Sequence, residues 1–426
     1  MPLFSAWLRR ADPGAEALVL PGQSLRYGEL LARPGLGGLQ VLEGDADALA
    51  LGLVDAAIGK GTAFPLPPGL PADQRRRLLD LAAAAAEPRL ALVIATSGSE
   101  GAPKGVRLPW RAVAAASRMS ARSLRFGAGD AWLACLPLHH VGGAMIVYRC
   151  LRAGATAVIH DGFDADAVAR EFAHRSITHL SLVPPMLARL LEAGVTPPPS
   201  LRCALVGGAA LALPLFRRAV AAGWPVCPTY GMTETCAQAT VLWRPAADAW
   251  QEGDVGAPLP GACVAADADG VLCIATPARM AGYLGETGRA PAWIATRDLG
   301  RIDAAGHVHV TGRADDMLVS AGVNVHPLDV ESRLVACPGV REAGVIGLRD
   351  LVWGDVIAAA YEGAIPESEL DGWCRAHLPG ARRPRRFLRV AALPRTASGK
   401  LDRRALGELW CDERRPVPGV AERPAL

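Results

Sequence analysis

Lysine occurs only three times in the 426 residues, at Lys60, Lys104 and Lys400; the rest of the 45 basic residues are arginine. A compact ammonium on a flexible stem approaches phosphates and carboxylates as a guanidinium does not, so a lysine kept against this bias points to a chemical requirement. Two of the three lie in segments of small residues. One is Thr96-Ser97-Gly98-Ser99-Glu100-Gly101-Ala102-Pro103-Lys104-Gly105, directly after an apolar run. Glycines and hydroxyl residues there let backbone N–H groups approach phosphate oxygens, with the lysine adding charge. Pro103 occupies the place where a Walker A loop needs its second glycine, and an ordinary Gly/Ser turn competes as a reading of this segment alone.

Three further segments have the makings of a site. In Tyr230-Gly231-Met232-Thr233-Glu234-Thr235 a hydroxyl beside a carboxylate can place Thr233 on a phosphate oxygen and Glu234 on a Mg²⁺ ion, with a helix N-cap at Thr233 as the competing role. Asp298, in Thr296-Arg297-Asp298-Leu299-Gly300, is suited to accept both hydroxyls of a ribose, and Arg313 in Gly312-Arg313-Ala314-Asp315-Asp316 can add a donor. Pro394-Arg395-Thr396-Ala397-Ser398-Gly399-Lys400 reads as a polar loop presenting its lysine.

The elements that must position these segments form an α/β pattern. Between residues 90 and 310 short β-rich runs at 90–96, 131–136, 155–159, 178–183 and 201–206 alternate with amphipathic stretches, including a helix predicted over 163–174. After Gly312 the pattern changes to a smaller α+β unit, with strands expected at 340–347 and 356–361 and a helix around 368–377. The expected domains are therefore 1–312 and 313–426, with 412–426 a frayed Arg/Pro-rich tail.

Composition narrows the class. Hydrophobic residues make up 51% and charged residues 20%, a globular balance, and the formal charge of +3 comes without a basic stripe for nucleic acid. Ten cysteines, with no Cys-x-x-Cys pair, suit reduced thiols in a cytoplasm. No apolar run reads as a leader or a membrane span.

Taken together and in order, the four segments resemble the adenylate-forming superfamily of acyl-CoA synthetases, peptide-synthetase adenylation domains and luciferases. Leu136-Pro137-Leu138-His139-His140, Leu182-Val183-Pro184-Pro185, Gly207-Gly208-Ala209-Ala210 and the run from Val319 to Pro327 extend the likeness over nearly all of the chain from residue 90. The compact region before the phosphate loop, together with Ser181-Leu182-Val183-Pro184, Gly207-Gly208-Ala209-Ala210 and Ala295-Thr296-Arg297-Asp298, looks most like the o-succinylbenzoate–CoA ligases of menaquinone synthesis.

The resemblance implies a large α/β adenylate-forming domain, a small mobile α+β domain and a two-step, AMP-forming reaction with ATP, Mg²⁺ and CoA. It puts Thr96, Ser97, Gly98 and Lys104 at the leaving phosphates, Thr233 on phosphate and Glu234 on Mg²⁺. Gly207, Gly208, Ala209, Tyr230 and Gly231 fall at the adenine, Asp298 and Arg313 at the ribose, and Lys400 at the reacting carboxylate and α-phosphate. Asp315 becomes the hinge and His140 the gate of the acyl pocket. A second substrate carboxylate calls for a cation, for which Arg149 and Arg189 are the candidates.

The chain departs from the family pattern at Glu100 and at Ala321 and Val323 in the loop that approaches the thiol; at Arg297 the family usually has Gly, and the ligases of this branch can have Arg. Two rival expectations follow: an adenylation enzyme that loads a carrier protein in trans, and a catalytically silent nucleotide sensor. The oligomeric state stays open, a homodimer included.

Overall fold

The computed structural model describes residues 3–85, 89–96, 103–288, 290–320, 322–350, 354–378, 380–396 and 400–412. The chain divides into two compact units. One comprises Met1–Leu211, Leu215–Thr296 and Gly300–Val310; the other comprises Ala212–Pro214, Arg297–Leu299 and Thr311–Leu426.

The first unit is built on a nine-stranded sheet. Its six central strands run parallel in the order Val226–Tyr230, Cys203–Val206, His179–Leu182, Ala131–Ala134, Thr156–Ile159 and Glu16–Val19. Short antiparallel strands flank this block at both edges. The alternation of strands with helices dictates this outcome, because parallel neighbours need a crossover and the helices that supply it cover the sheet faces. The helix expected over 163–174 forms at Ala165–His174, started one residue after Gly162-Phe163 by Asp164, whose carboxylate accepts the Ala167 N–H at 2.7 Å.

A second sheet of five strands, in the order Gly282–Tyr283, Lys104–Pro109, Leu90–Thr96, Thr62–Pro65 and Leu39–Leu42, carries the phosphate-loop segment. Here Leu90–Thr96 and Lys104–Pro109 pair antiparallel, with Thr96 opposite Lys104. The loop between them therefore joins two strands of one sheet, whereas a Walker A loop runs from a strand into a helix. The helix Val141–Ala153 is buried at every position from Gly143 to Leu151, and it packs on the helix Trp110–Ser123. An aromatic cluster of Phe4, Trp7, Trp110 and Tyr148, with ring centroids 5.5–6.3 Å apart, seals this part of the core.

The second unit has its own five-stranded sheet and its own core. The long hairpin Val340–Asp350 with Gly354–Gly363 is its centre, and Pro327–Val335, Glu367–His377 and Arg403–Asp412 are its helices. The strands expected at 340–347 and 356–361 thus extend further, because cross-strand pairing continues through the charged end of each strand, down to Asp350 opposite Gly354.

Candidate active site

Parallel strands in an open α/β sheet leave their carboxyl ends free to form a ligand crevice. Four of the segments singled out above sit at such ends in the first unit. His139 and His140 follow Ala131–Ala134, Val183 and Pro184 follow His179–Leu182, Gly207 to Ala209 follow Cys203–Val206, and Gly231 to Glu234 follow Val226–Tyr230. Packing explains the glycines. A Cβ on Gly231 would lie 1.7 Å from the Ala237 carbonyl oxygen, and one on Gly207 would meet the Thr229 side chain at 2.7 Å. Gly208 adopts φ +79°, which favours glycine. Ala209 beside it is exposed.

Thr233 begins a short 3-10 turn whose cap residue is Met232, so the N-cap role does not fall to Thr233. The hydroxyl of Thr235 supplies the local bonds instead, accepting the Met232 N–H at 3.2 Å and donating to the Met232 carbonyl at 3.1 Å. Glu234, only 9% exposed, accepts a 2.7 Å hydrogen bond from the Tyr283 hydroxyl, and its carbonyl takes the Met280 N–H at 2.8 Å. The Tyr283 ring in turn lies 5.7 Å from the Lys104 ammonium. Lys104, Tyr283 and Glu234 thereby form a chain that joins the nine-stranded sheet to the five-stranded sheet of the first unit.

Tyr283 was not singled out from the sequence. Its only signal is position, since Tyr283 is paired opposite Val106 and so lies one strand away from Lys104. Ser97, Gly98 and Glu100 lie outside the described residues, whereas Thr96 is partly exposed at the strand end.

His140 is the N-cap residue of Val141–Ala153, and its ring centroid lies 4.5 Å from that of His139. Burial holds the His139 imidazole below its ordinary pKa, favouring the neutral ring. On the same helix Arg149 is 2% exposed. Its guanidinium lies 5.4 Å from the Trp132 ring centroid, and its Nε and Nη2 have no hydrogen-bond partner among the described residues. Burial pushes its pKa down to about 10, and the ionisable groups acting on it are the thiols of Cys236, Cys150 and Cys203, with no carboxylate among them. Arg189, the other candidate cation, is exposed on Pro184–Glu192.

The second unit holds the remaining residues. Arg313 Nη1 donates to Asp298 at 3.1 Å, while Nε and Nη2 donate to the two oxygens of Asp315 at 2.9 Å each. Burial raises the Asp315 pKa, but the hydrogen bond and charge of Arg313 outweigh it and the net direction is downward. Arg297 takes φ +66°, a conformation that costs a residue with a Cβ about 1–2 kcal/mol. A glycine there would be unstrained. Lys400 is exposed, and its carbonyl accepts the Thr396 N–H at 2.8 Å. Val323 is exposed as well, and Ala321 lies outside the described residues.

Among the described residues no group of three or more His, Cys, Asp or Glu side chains is arranged to hold a metal ion. Glu234 fits Mg²⁺ in a different way. Magnesium keeps several waters and is bound through one or two carboxylates together with substrate phosphates, so a single carboxylate near a lysine suits it.

A parallel sheet with glycine turns at its carboxyl edge, a lysine and a carboxylate joined through one tyrosine, and an aspartate–arginine pair define a nucleotide-using enzyme rather than a structural module. Comparison with known proteins gives the family. Residues 47–284 match the AMP-binding enzyme family and residues 329–400 match the AMP-binding enzyme C-terminal domain. The chain belongs to the AMP-binding enzyme family.

Among its relatives is the 2-succinylbenzoate–CoA ligase of Bacillus pumilus (strain SAFR-032), 36% identical over 333 residues that cover 74% of this chain and 68% of that protein. The ligase of the same name from Bacillus subtilis (strain 168) is 34% identical over 332 residues, again 74% and 68%. The solved o-succinylbenzoate CoA synthetase from Bacillus subtilis, in complex with its acyl-adenylate intermediate, superposes with a TM-score of 0.82 at 27% identity, covering 94% of this chain and 97% of that one. The same synthetase in complex with ATP and a magnesium ion also gives 0.82 at 27% identity, over 94% and 99%. No helix among the described residues is long and apolar enough to cross a membrane.

Proposed function

We propose that the chain is an ATP-dependent, AMP-forming acid–CoA ligase acting on o-succinylbenzoate. The observation that carries the acid is Arg149. A buried guanidinium without a carboxylate partner costs several kcal/mol unless an anion meets it, and this one sits on the helix capped by His140. A dicarboxylic acid brings that anion. One carboxylate reacts and the other pairs with Arg149, while the small and apolar residues around 182–184 and 206–209 accept the aryl ring.

In the first half-reaction an oxygen of the acid's carboxylate attacks the α-phosphorus of ATP, and the bond to pyrophosphate breaks with its electron pair. Lys104, Thr233 and the loop containing Thr96, Ser97 and Gly98 hold the departing phosphates. Gly207, Gly208, Ala209, Tyr230 and Gly231 border the adenine, and Asp298 with Arg313 takes the ribose. Glu234, oriented by Tyr283, is the ligand for a Mg²⁺ that neutralises phosphate charge when bound. Lys400 brings its ammonium to the carboxylate and α-phosphate, so charge stabilisation and positioning supply most of the acceleration.

In the second half-reaction the CoA thiol gives up its proton to solvent, its sulfur attacks the acyl carbon, and the acyl carbon–oxygen bond breaks with AMP taking the electron pair. His140 gates the thiol's entry, and residues 313–426 swing about Asp315 between the two steps. A carrier-protein thiol in place of CoA is the rival acceptor.

Pyrophosphate exchange tests the assignment of the acid. The wild-type chain is expected to respond to o-succinylbenzoate, and Arg149→Met is expected to lower kcat/KM for it by about a hundredfold, the scale of truncating a buried charge pair. Exchange with a monocarboxylic aryl acid should be spared. Full retention of o-succinylbenzoate activity in the variant overturns the assignment. Mass spectrometry of the acylated thiol, with CoA and with candidate carrier proteins, decides the acceptor.

A further inference from the structure

The second unit contains a side-chain cluster that the proposed chemistry does not use. Arg403, three residues after Lys400, begins the helix Arg403–Asp412, and its guanidinium is spent on three separate elements. Its Nε donates to Asp316 Oδ2 at 3.2 Å, and Asp316 directly follows the proposed hinge residue Asp315. Nη2 donates to Glu331 Oε2 at 3.2 Å, and Nη1 donates to Glu331 Oε1 and to the Val345 carbonyl at 2.9 Å. Glu331, on the helix Pro327–Val335, is itself buried and takes the Val345 N–H at 2.8 Å.

The turn that carries Lys400 is pinned on both sides of this residue. Arg395 bridges to Leu401 through the backbone and forms an ion pair with Glu342 on the strand Val340–Asp350. The Asp402 N–H meets the Pro394 carbonyl at 2.9 Å, and the Asp402 carboxylate accepts the Ala405 N–H at 3.0 Å. The base of the lysine turn is thus clamped to the sheet at Glu342 and to the residue after the hinge through Arg403.

A helix start needs none of this, because Asp402 already satisfies its first N–H groups. A part-buried arginine held by four hydrogen bonds is worth keeping where one geometry among several must be selected. We propose that Arg403 is a positioning residue for Lys400, tying the lysine's turn to Asp316 so that the orientation taken at the hinge fixes where the ammonium points. This rests on the reading of Lys400 as the adenylation lysine and of Asp315 as the hinge. Its consequence is selective: adenylation depends on the clasp and thioester formation does not.

The test measures both half-reactions separately on the full chain: pyrophosphate exchange with o-succinylbenzoate, and transfer from preformed acyl-adenylate to CoA. Arg403→Ala is expected to lower kcat for exchange by about a hundredfold, the scale of an ångström-level misplacement, with KM for ATP changed by less than about threefold. Transfer from preformed adenylate should stay within about threefold of wild type, since it does not need the lysine in place.

Removing Arg403 also leaves Glu331 buried without its cationic partner, so Asp316→Asn provides a variant that keeps the Arg403–Glu331 pair. It should lose about tenfold in exchange alone, the scale of one charged hydrogen bond. Arg403→Lys should recover part of the loss, because one ammonium reaches one of the two carboxylates. Equal falls in both half-reactions, or no fall in either variant, overturn the proposal. Lys400→Ala serves as the reference. If it keeps exchange, the reading of Lys400 fails and this inference with it; if it loses exchange while the Arg403 and Asp316 variants keep it, only this inference fails.

Discussion

The two units hold their functional residues by different means. In the first unit the turns at Gly207 and Gly231 are set by packing so close that a single added carbon would collide with backbone or side chain, and Glu234 is buried beneath the Tyr283 hydroxyl. In the second unit Asp298, Arg313 and Asp315 are held by ion pairs at a part-exposed surface, and Lys400 stands exposed on a turn held by hydrogen bonds and the Arg395–Glu342 pair. Close packing gives one stiff geometry, whereas exchangeable polar contacts allow a group to be held in one step and released in the next. The contrast fits a nucleotide bed that stays put and a lysine that has to leave.

The sharpest way to break this comparison is to remove the lysine. Lys400→Ala is expected to lower pyrophosphate exchange by about 10²–10³-fold, the loss seen when one transition-state charge donor is deleted. ATP binding by calorimetry should change little, and so should thioester formation from preformed adenylate. A parallel loss of ATP affinity would show the lysine to be part of the bed.

Packing in the first unit is probed by Gly231→Ala. The added methyl lands 1.7 Å from the Ala237 oxygen, so thermal unfolding should show a destabilisation of about 1–3 kcal/mol, the usual range for overpacking, together with weakened nucleotide binding. An unchanged Tm would mean that the turn yields, contrary to a stiff bed.

Tyr283→Phe keeps the ring near Lys104 and removes only the hydroxyl bonded to Glu234. Loss of a hydrogen bond to a charged group, about 1.5 kcal/mol, should raise the magnesium concentration needed for half-maximal exchange by about tenfold. If the magnesium dependence is unmoved, Tyr283 does not orient Glu234. The smallest effect is expected at the third lysine. Lys60 is exposed in a left-handed turn at φ 61°, just after the helix Ala46–Ile58, and Lys60→Arg should leave stability within about 0.5 kcal/mol and exchange unchanged.

The motifs were legible because each combines residue types that ordinary packing does not demand with an order along the chain. Lys104 after an apolar run and Glu234 after Thr233 need no coordinates to be noticed. Element boundaries were legible to within a few residues, as at Ala165–His174, because hydrophobic period and capping residues are local signals. Tyr283 and Arg403 escaped because their significance lies in partners 49 and 87 residues away in sequence, Glu234 and Asp316. The choice between Arg149 and Arg189 escaped for a related reason. Both lie on amphipathic helical stretches, and only the burial of Val141–Ala153 separates them.

What the sequence determined by itself was chemistry and order: which residues carry charge or hydroxyls, and the order in which the four segments follow one another. Only the tertiary structure decided which of those residues meet. Lys104 comes near Glu234 through Tyr283 on the neighbouring strand, and among the described residues Arg149 keeps Nε and Nη2 without a hydrogen bond because its helix is buried from Gly143 to Leu151. Composition and period are properties of short windows of chain. Burial, desolvation and the pairing of distant charges exist only once the strands have found their neighbours.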